Sequence, residues 1–303
     1  MMRRLIFAAA DDPRIRRFVH KHGMRLGAAR FVAGETLDQC VAVLRRLNEQ
    51  GLAANTTLLG EGVRDESEAA GVVAAYEDVV ARLAAEKLPA NVALKLTHLG
   101  LELGEEVAYA NVKRLVEAAQ AVDSFIRIDM EQSEFTAVTL RIHRRLREEG
   151  LERVGTVLQS YLYRSERDLE ELLPLRPNLR IVKGAYLEPP EIAYPHKADV
   201  DKAYARMVET SLLGEGYTAI ATHDERLIER AIRFAGDREI GRDRFEFQML
   251  YGVRPRLQLD LARRGFTVRV ATPYGPEWYP YLMRRLGERP ANALFFVRNL
   301  VRG

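Results

Sequence analysis

The chain has 303 residues, 47% of them apolar and 29% charged, with a net charge of +3. That is ordinary globular composition with apolar mass for one large core, which excludes a disordered chain, and the lone cysteine, Cys40, excludes an intramolecular disulfide and suits a reducing compartment. Its 46 basic and 43 acidic residues are interspersed rather than gathered into the basic stripe that nucleic acid needs, so no nucleic-acid partner is expected.

The opening, MMRRLIFAAADDP, begins like a secretory leader. Its apolar stretch runs only from Leu5 to Ala10 before two aspartates, too short for a leader's apolar core or for a bilayer span. The reading is cytoplasmic, and peripheral contact with the inner membrane is compatible with it. Helical patterns follow at 13–22 and 36–50. From there short β-branched runs alternate with longer amphipathic stretches. The runs fall at 56–59, 92–97, 125–130, 155–161, 179–184, 217–222, 245–250 and 266–271. Such runs suit buried parallel strands. Helical patterns at 66–86, 105–121, 131–149, 166–172, 198–213, 224–235 and 254–264 separate them, and a last one covers 277–286. Eight strands alternating with helices predict a single (β/α)8 barrel domain, with N-terminal helices over about 1–52, the barrel over 53–275 and a helix and tail over 276–303. A dinucleotide fold needs GxGxxG after its first strand, and Leu59-Gly-Glu-Gly-Val63 does not supply it.

In a barrel of this kind the chemistry sits at the C-terminal ends of the strands. Lys95 stands inside the apolar run Val92-Ala-Leu-Lys-Leu-Thr97. A buried ammonium needs an anion, and Asp129 and Glu61 on neighbouring strands can supply one. This is either a structural ion pair or a pocket cation. Arg180 and Lys183 share the next anomalous run. Three apart, they face one ligand only if the strand ends near Val182, with Gly184 letting a ligand approach the backbone; the bland alternative is a surface salt bridge. Thr222-His223-Asp224 opens a helix, with Asp224 as N-cap, and a helix N-terminus favours phosphate. Near the end, Tyr281, Arg284, Arg285 and Glu288 fall on one helical face. Two guanidiniums can grip one carboxylate; alternatively Arg284 and Glu288 form an exposed pair.

Four stretches settle between these readings. Leu179-Arg-Ile-Val-Lys-Gly-Ala-Tyr186, Ala221-Thr-His-Asp224, Phe245-Glu-Phe-Gln-Met-Leu-Tyr-Gly252 and Tyr281-Leu-Met-Arg-Arg-Leu-Gly-Glu288 together resemble the proline dehydrogenase family in its small monofunctional bacterial form. The resemblance runs from about Phe31 to the end, with the motifs in order at successive strand ends. It implies a distorted (β/α)8 barrel that holds FAD without a dinucleotide fold, with the C-terminal helix over the active site. The implied activity is oxidation of L-proline to Δ1-pyrroline-5-carboxylate, with electrons passed to membrane quinone. The resemblance also implies roles. Lys95, Arg284 and Arg285 bind the substrate carboxylate, and Asp129 and Glu61 belong to the ion-pair network around them. Arg180 lies against the flavin; Gln159, Lys183, Gly184, Ala185, Tyr186, Thr222 and His223 help hold FAD. Tyr281 packs beside the substrate, with Glu288 on the same face. No metal is implied.

One position departs from the pattern. The family usually carries a tyrosine on the eighth strand, where this chain has Ala271 in Arg269-Val-Ala-Thr-Pro-Tyr-Gly275. A roomier pocket follows, and with it the alternative of a ring-substituted substrate such as 4-hydroxyproline. A more remote alternative keeps the barrel but uses Lys95 as the Schiff-base amine of a lyase or aldolase, and another is a non-catalytic binding barrel.

Overall fold

The structure is a computed structural model that describes residues 27–288 together with Arg17, Gly23 and Met24, with side chains through Met283. The helix expected at 13–22 lies, apart from Arg17, outside the described residues. Eight parallel strands close into a barrel: β1 (Ala53–Leu58), β2 (Ala90–Leu94), β3 (Ile126–Ile128), β4 (Val154–Gln159), β5 (Asn178–Val182), β6 (Tyr217–Ala221), β7 (Phe245–Leu250) and β8 (Val268–Tyr274). Each strand pairs with the next in sequence, and β8 closes on β1. The helices are α1 (Leu37–Glu49), α2 (Glu66–Ala85), α3 (Glu105–Ala121), α4 (Thr136–Glu148), α5 (Ser165–Leu172), α6 (Lys197–Leu213), α7 (Glu225–Asp237), α8 (Pro255–Arg263) and α9 (Trp278–Glu288).

Alternation along the strands sorts the side chains. On β5, Leu179 and Ile181 are fully buried in the apolar layer beneath the helices, so Arg180 between them faces the barrel axis. The same rule turns Phe245, Phe247 and Met249 outward on β7 and leaves Glu246 and Gln248 inside. On β3 it turns Ile126 and Ile128 outward and Arg127 inward. The layer between sheet and helices is therefore the apolar core, and the interior of the barrel is ionic. This differs from the branched aliphatic filling usual in such barrels.

Helix α1 packs against β1 and β8. The Cys40 thiol lies 3.1 Å from Thr56 Oγ1, which donates to Thr272 O at 3.1 Å. Burial pushes the Cys40 thiol up to about 12, so it is an inert core group. A helix before the first strand thus lies against the seam where the barrel closes, and the last helix is released for another place. Trp278 and Leu282 of α9 are fully buried against Phe31, Val32, Leu59 and Val253, across the C-terminal ends of β1 and β7. Trp278 Nε1 donates to Glu35 Oε1 at 2.7 Å, and Ala33 N donates to Pro273 O at 2.8 Å. Helix α9 is thereby fastened over the mouth of the barrel.

Two expected boundaries shift. The helix expected from 131 begins at Thr136, because Glu131 turns inward to bond Thr97 and a 3-10 turn, Ser133–Phe135, intervenes. Strand β8 runs to Tyr274, so Ala271 lies within it rather than at its end.

Burial also sets the response to acid. His143 on α4 is fully enclosed with neither ring nitrogen bonded among the described residues, and burial pushes it down to about 3. Burial first, then the Lys95 charge, push His98 down to about 4. Both are neutral when folded and take up a proton on unfolding below about 6.5, so stability is full above that pH and is lost as the pH falls toward the folded values. Each contributes a slope of about 1.4 kcal/mol per pH unit in that window. His143→Leu is expected to flatten the fall in urea-unfolding free energy between pH 6 and pH 4 by that amount; an unchanged slope contradicts the assignment.

Candidate active site

The inward side chains form two ionic groups at different depths. At the rim, Lys95 follows the last residue of β2 and pairs with Glu61 from the loop after β1. Deeper, Arg180 pairs with Asp129, just beyond β3, and its Nη1 donates to Gln248 Oε1 at 3.4 Å. Gln248 Nε2 donates to Glu246 Oε1 at 2.6 Å. Glu246 accepts both contacts of Arg269 Nε, at 2.9 and 3.0 Å, and one from Tyr217 Oη at 3.2 Å. Arg269 Nη1 finally donates to Ala54 O at 2.8 Å. A continuous polar chain therefore crosses the barrel from β3 to β1 and fixes the Arg180 fork. Arg180 Nε remains enclosed without a bond among the described residues.

Of the two acids expected within reach of Lys95, Glu61 pairs with it and Asp129 pairs with Arg180, because β3 ends at Ile128 and Asp129 points across the barrel, while Lys95 lies beyond β2 and reaches up to Glu61. Gly184, at φ +112, lies in tight contact with protein on its Cβ side: a Cβ there would run into the ring of Tyr161.

The rest of the rim is held by the same local logic. Strand β5 ends at Val182, so Lys183 lies in the turn as its spacing requires, 2.5 Å from Asp201 and 3.6 Å from Asp224. Burial raises the Asp201 carboxyl, but the bonds from Lys183 and Lys197 outweigh it and hold the acid below its usual range. Ala185 is exposed and Tyr186 half-buried in the loop that follows, which is tied across the mouth by Glu188 accepting from Ser133 N at 2.8 Å and Ser133 Oγ at 2.6 Å. Gln159 Nε2 donates to Glu131 O at 2.8 Å. Thr222 Oγ1 accepts from Asp224 N at 3.1 Å, and Asp224 caps α7 through Arg226 N at 3.1 Å. His223 Nε2 accepts from Leu250 N at 3.0 Å, which leaves the ring hydrogen on Nδ1.

Tyr281 is half-buried against the cluster that seats α9. The helix places positions 281, 284, 285 and 288 on one face. The side chains of Arg284, Arg285 and Glu288 lie outside the described residues. Ala271 is half-buried on the inner face of β8.

Three inward groups escape a reading of the sequence. Arg127 lies fully buried in Ile-Arg-Ile and donates to Thr156 O at 3.0 Å and Asn178 O at 2.6 Å. Burial, then the Arg180 charge, push it down to about 9, still protonated at neutral pH. A charge between two apolar β-formers is the same signal that exposes Lys95. Glu131 is hidden within an amphipathic pattern. Asn55 lies before the first expected strand.

The donor set around the mouth fits a flavin dinucleotide. A guanidinium nitrogen on Arg180, enclosed and unbonded among the described residues, faces the barrel, a lysine stands in the next turn, and the capped N-terminus of a full-length helix lies beside it. Among the described residues no cluster of His, Cys, Asp or Glu could hold a metal ion, and no helix is long and apolar enough to cross a membrane.

The proline dehydrogenase family model matches residues 40–298. The chain is 42% identical over 307 residues to proline dehydrogenase of Deinococcus radiodurans, covering 100% of this chain and 99% of that one. It is 39% identical over 302 residues to proline dehydrogenase 1 of Bacillus subtilis, covering 100% of both. Among solved structures it resembles proline utilization A of Bdellovibrio bacteriovorus with a TM-score of 0.82 and 24% identity, over 88% of this chain and 33% of that one, a likeness of fold. With its closed barrel and a family match over most of its length, the chain belongs to the proline dehydrogenase family.

Proposed function

We propose that the protein oxidises L-proline to Δ1-pyrroline-5-carboxylate with FAD as its cofactor and passes the electrons to membrane quinone. The observation that carries this reading is the depth order of the ionic groups: an outer cation on Lys95, and a deeper guanidinium on Arg180 with one enclosed nitrogen unbonded among the described residues. Lys95, with Arg284 and Arg285 from the helix over the mouth, grips the substrate carboxylate. Glu61 orients Lys95. Tyr281 packs beside the substrate, and Glu288 shares that helical face.

FAD, when bound, supplies the two-electron acceptor for a hydride from the substrate's ring carbon. Arg180 would hold the flavin at its reactive edge, and Asp129 holds that arginine in place. Gln159, Lys183, Gly184, Ala185, Tyr186, Thr222 and His223 hold the rest of the cofactor. Gly184 contributes by letting Tyr161 close up behind the turn. The side chains work mainly by fixing the substrate's orientation, which converts a two-body encounter into a one-body step. The amine must be neutral to release hydride, and its proton leaves to water.

A second reading, a ring-substituted proline such as 4-hydroxyproline, is favoured by Ala271, which offers no ring where it half-lines the inner face of β8. Turnover of L-proline and 4-hydroxyproline with a quinone acceptor tests both. Proline turnover supports the first reading, preference for the hydroxylated ring supports the second, and turnover of neither contradicts both.

A further inference from the structure

The three residues that follow β3 hold the backbone on both sides of Lys95. Before it, Leu94 O accepts from Asp129 N at 2.8 Å. After it, Glu131 Oε1 accepts from Thr97 N at 3.1 Å and Glu131 Oε2 from Thr97 Oγ1 at 2.6 Å. Those bonds anchor the first residue of a 3-10 turn, Thr97–Leu99. The same segment reaches the rest of the site. Asp129 pairs with Arg180, and Glu131 O accepts from Gln159 Nε2 at 2.8 Å. Residues 129–131 are therefore a strap that joins the end of β2, which carries Lys95, to the ends of β4 and β5.

Glu131 is 3% exposed, and a buried carboxylate is a costly way to close a turn. Burial pushes this acid up, and the bonds from Thr97, then the Lys95 charge, draw it partly back. Lys95 is a point charge on a flexible stem, and its partner Glu61 is 41% exposed on a loop. The direction of the ammonium is therefore set largely by the backbone from Leu94 to Thr97. We infer that Glu131 is a positioning residue that, through Thr97, fixes the Lys95 ammonium relative to Arg180 and Gln159. It thereby sets the spacing between the carboxylate grip and the cofactor side of the barrel. This inference rests on the proposed function, since it takes Lys95 as part of that grip.

The probe is cyclopentanecarboxylate, which has the ring and carboxylate of proline and no amine to oxidise. Its binding to the FAD-loaded protein is measured by calorimetry. Glu131→Leu keeps the bulk and removes both bonds to Thr97, and is expected to weaken binding about tenfold. Glu131→Gln can still accept from Thr97 N and donate to Thr97 Oγ1, and should stay within about threefold of wild type. Repeating Glu131→Leu in a Lys95→Met background separates positioning from general damage: with the ammonium gone, the further loss should be less than about twofold. Thr97→Val removes one of the two bonds from the other side. It should weaken binding about threefold in the wild-type background alone, and it carries the test if the leucine variant does not fold. An equal loss in both backgrounds, or no loss in the wild-type background, overturns the inference. A Lys95→Met protein that binds the probe as tightly as wild type overturns the proposed grip itself.

Discussion

Arg180→Met is expected to cost the protein both stability and turnover. The guanidinium is 11% exposed and its partner Asp129 22% exposed, so the substitution leaves a largely buried carboxylate without its cation and Gln248 Oε1 without its donor. Removing one member of a buried pair costs about 3–5 kcal/mol, read directly as a fall in urea-unfolding free energy. Turnover of proline should fall about a hundredfold or more, the usual cost of removing a preorganised donor from a reaction centre. Arg180→Lys separates the two effects. It restores a positive charge beside Asp129 and recovers part of the stability, but a lysine cannot span Asp129 and Gln248 together, so turnover stays low. An Arg180→Met protein with wild-type stability and turnover contradicts both the pairing and the role.

Lys95→Met should behave differently, and exposure is the reason. Lys95 is 14% exposed, but Glu61 is 41% exposed and can be solvated once its partner is gone. The stability change should stay within about 1 kcal/mol. The lost charge-assisted contact to the substrate carboxylate is worth about 2–3 kcal/mol, so kcat/KM for proline should fall about 30–150-fold, mostly through KM. An unchanged KM would remove Lys95 from the carboxylate grip.

The barrel is legible in the sequence because each strand turns apolar side chains outward. Leu179 and Ile181, or Phe245, Phe247 and Met249, read as strand on any scale. The inward residues are only partly legible. Lys95 and Arg180 stand out as charges within apolar runs, and their partners do not. Whether Asp129 meets Lys95 or Arg180 depends on where β3 ends and how the strands stagger around the barrel, a long-range property that local spacing does not carry. Glu131 shows the opposite failure. Its place in a helical pattern is overridden by two hydrogen bonds to Thr97 that exist only once β2 and β3 lie side by side. Gly184 reads correctly as a point of close approach, and the ring of Tyr161 that lies against it is brought there from the end of β4 by the pairing of β4 with β5. Asn55 is legible only in three dimensions, because an asparagine announces nothing until both of its amide atoms are enclosed and, among the described residues, unmatched.

The most direct test of the central claim is the visible spectrum of the purified, FAD-loaded protein under anaerobic conditions, before and after L-proline. A flavin band that bleaches on adding proline, with Δ1-pyrroline-5-carboxylate formed in equal amount, is the expected result. A protein that binds no flavin, or a flavin band that saturating proline leaves unchanged, would contradict it.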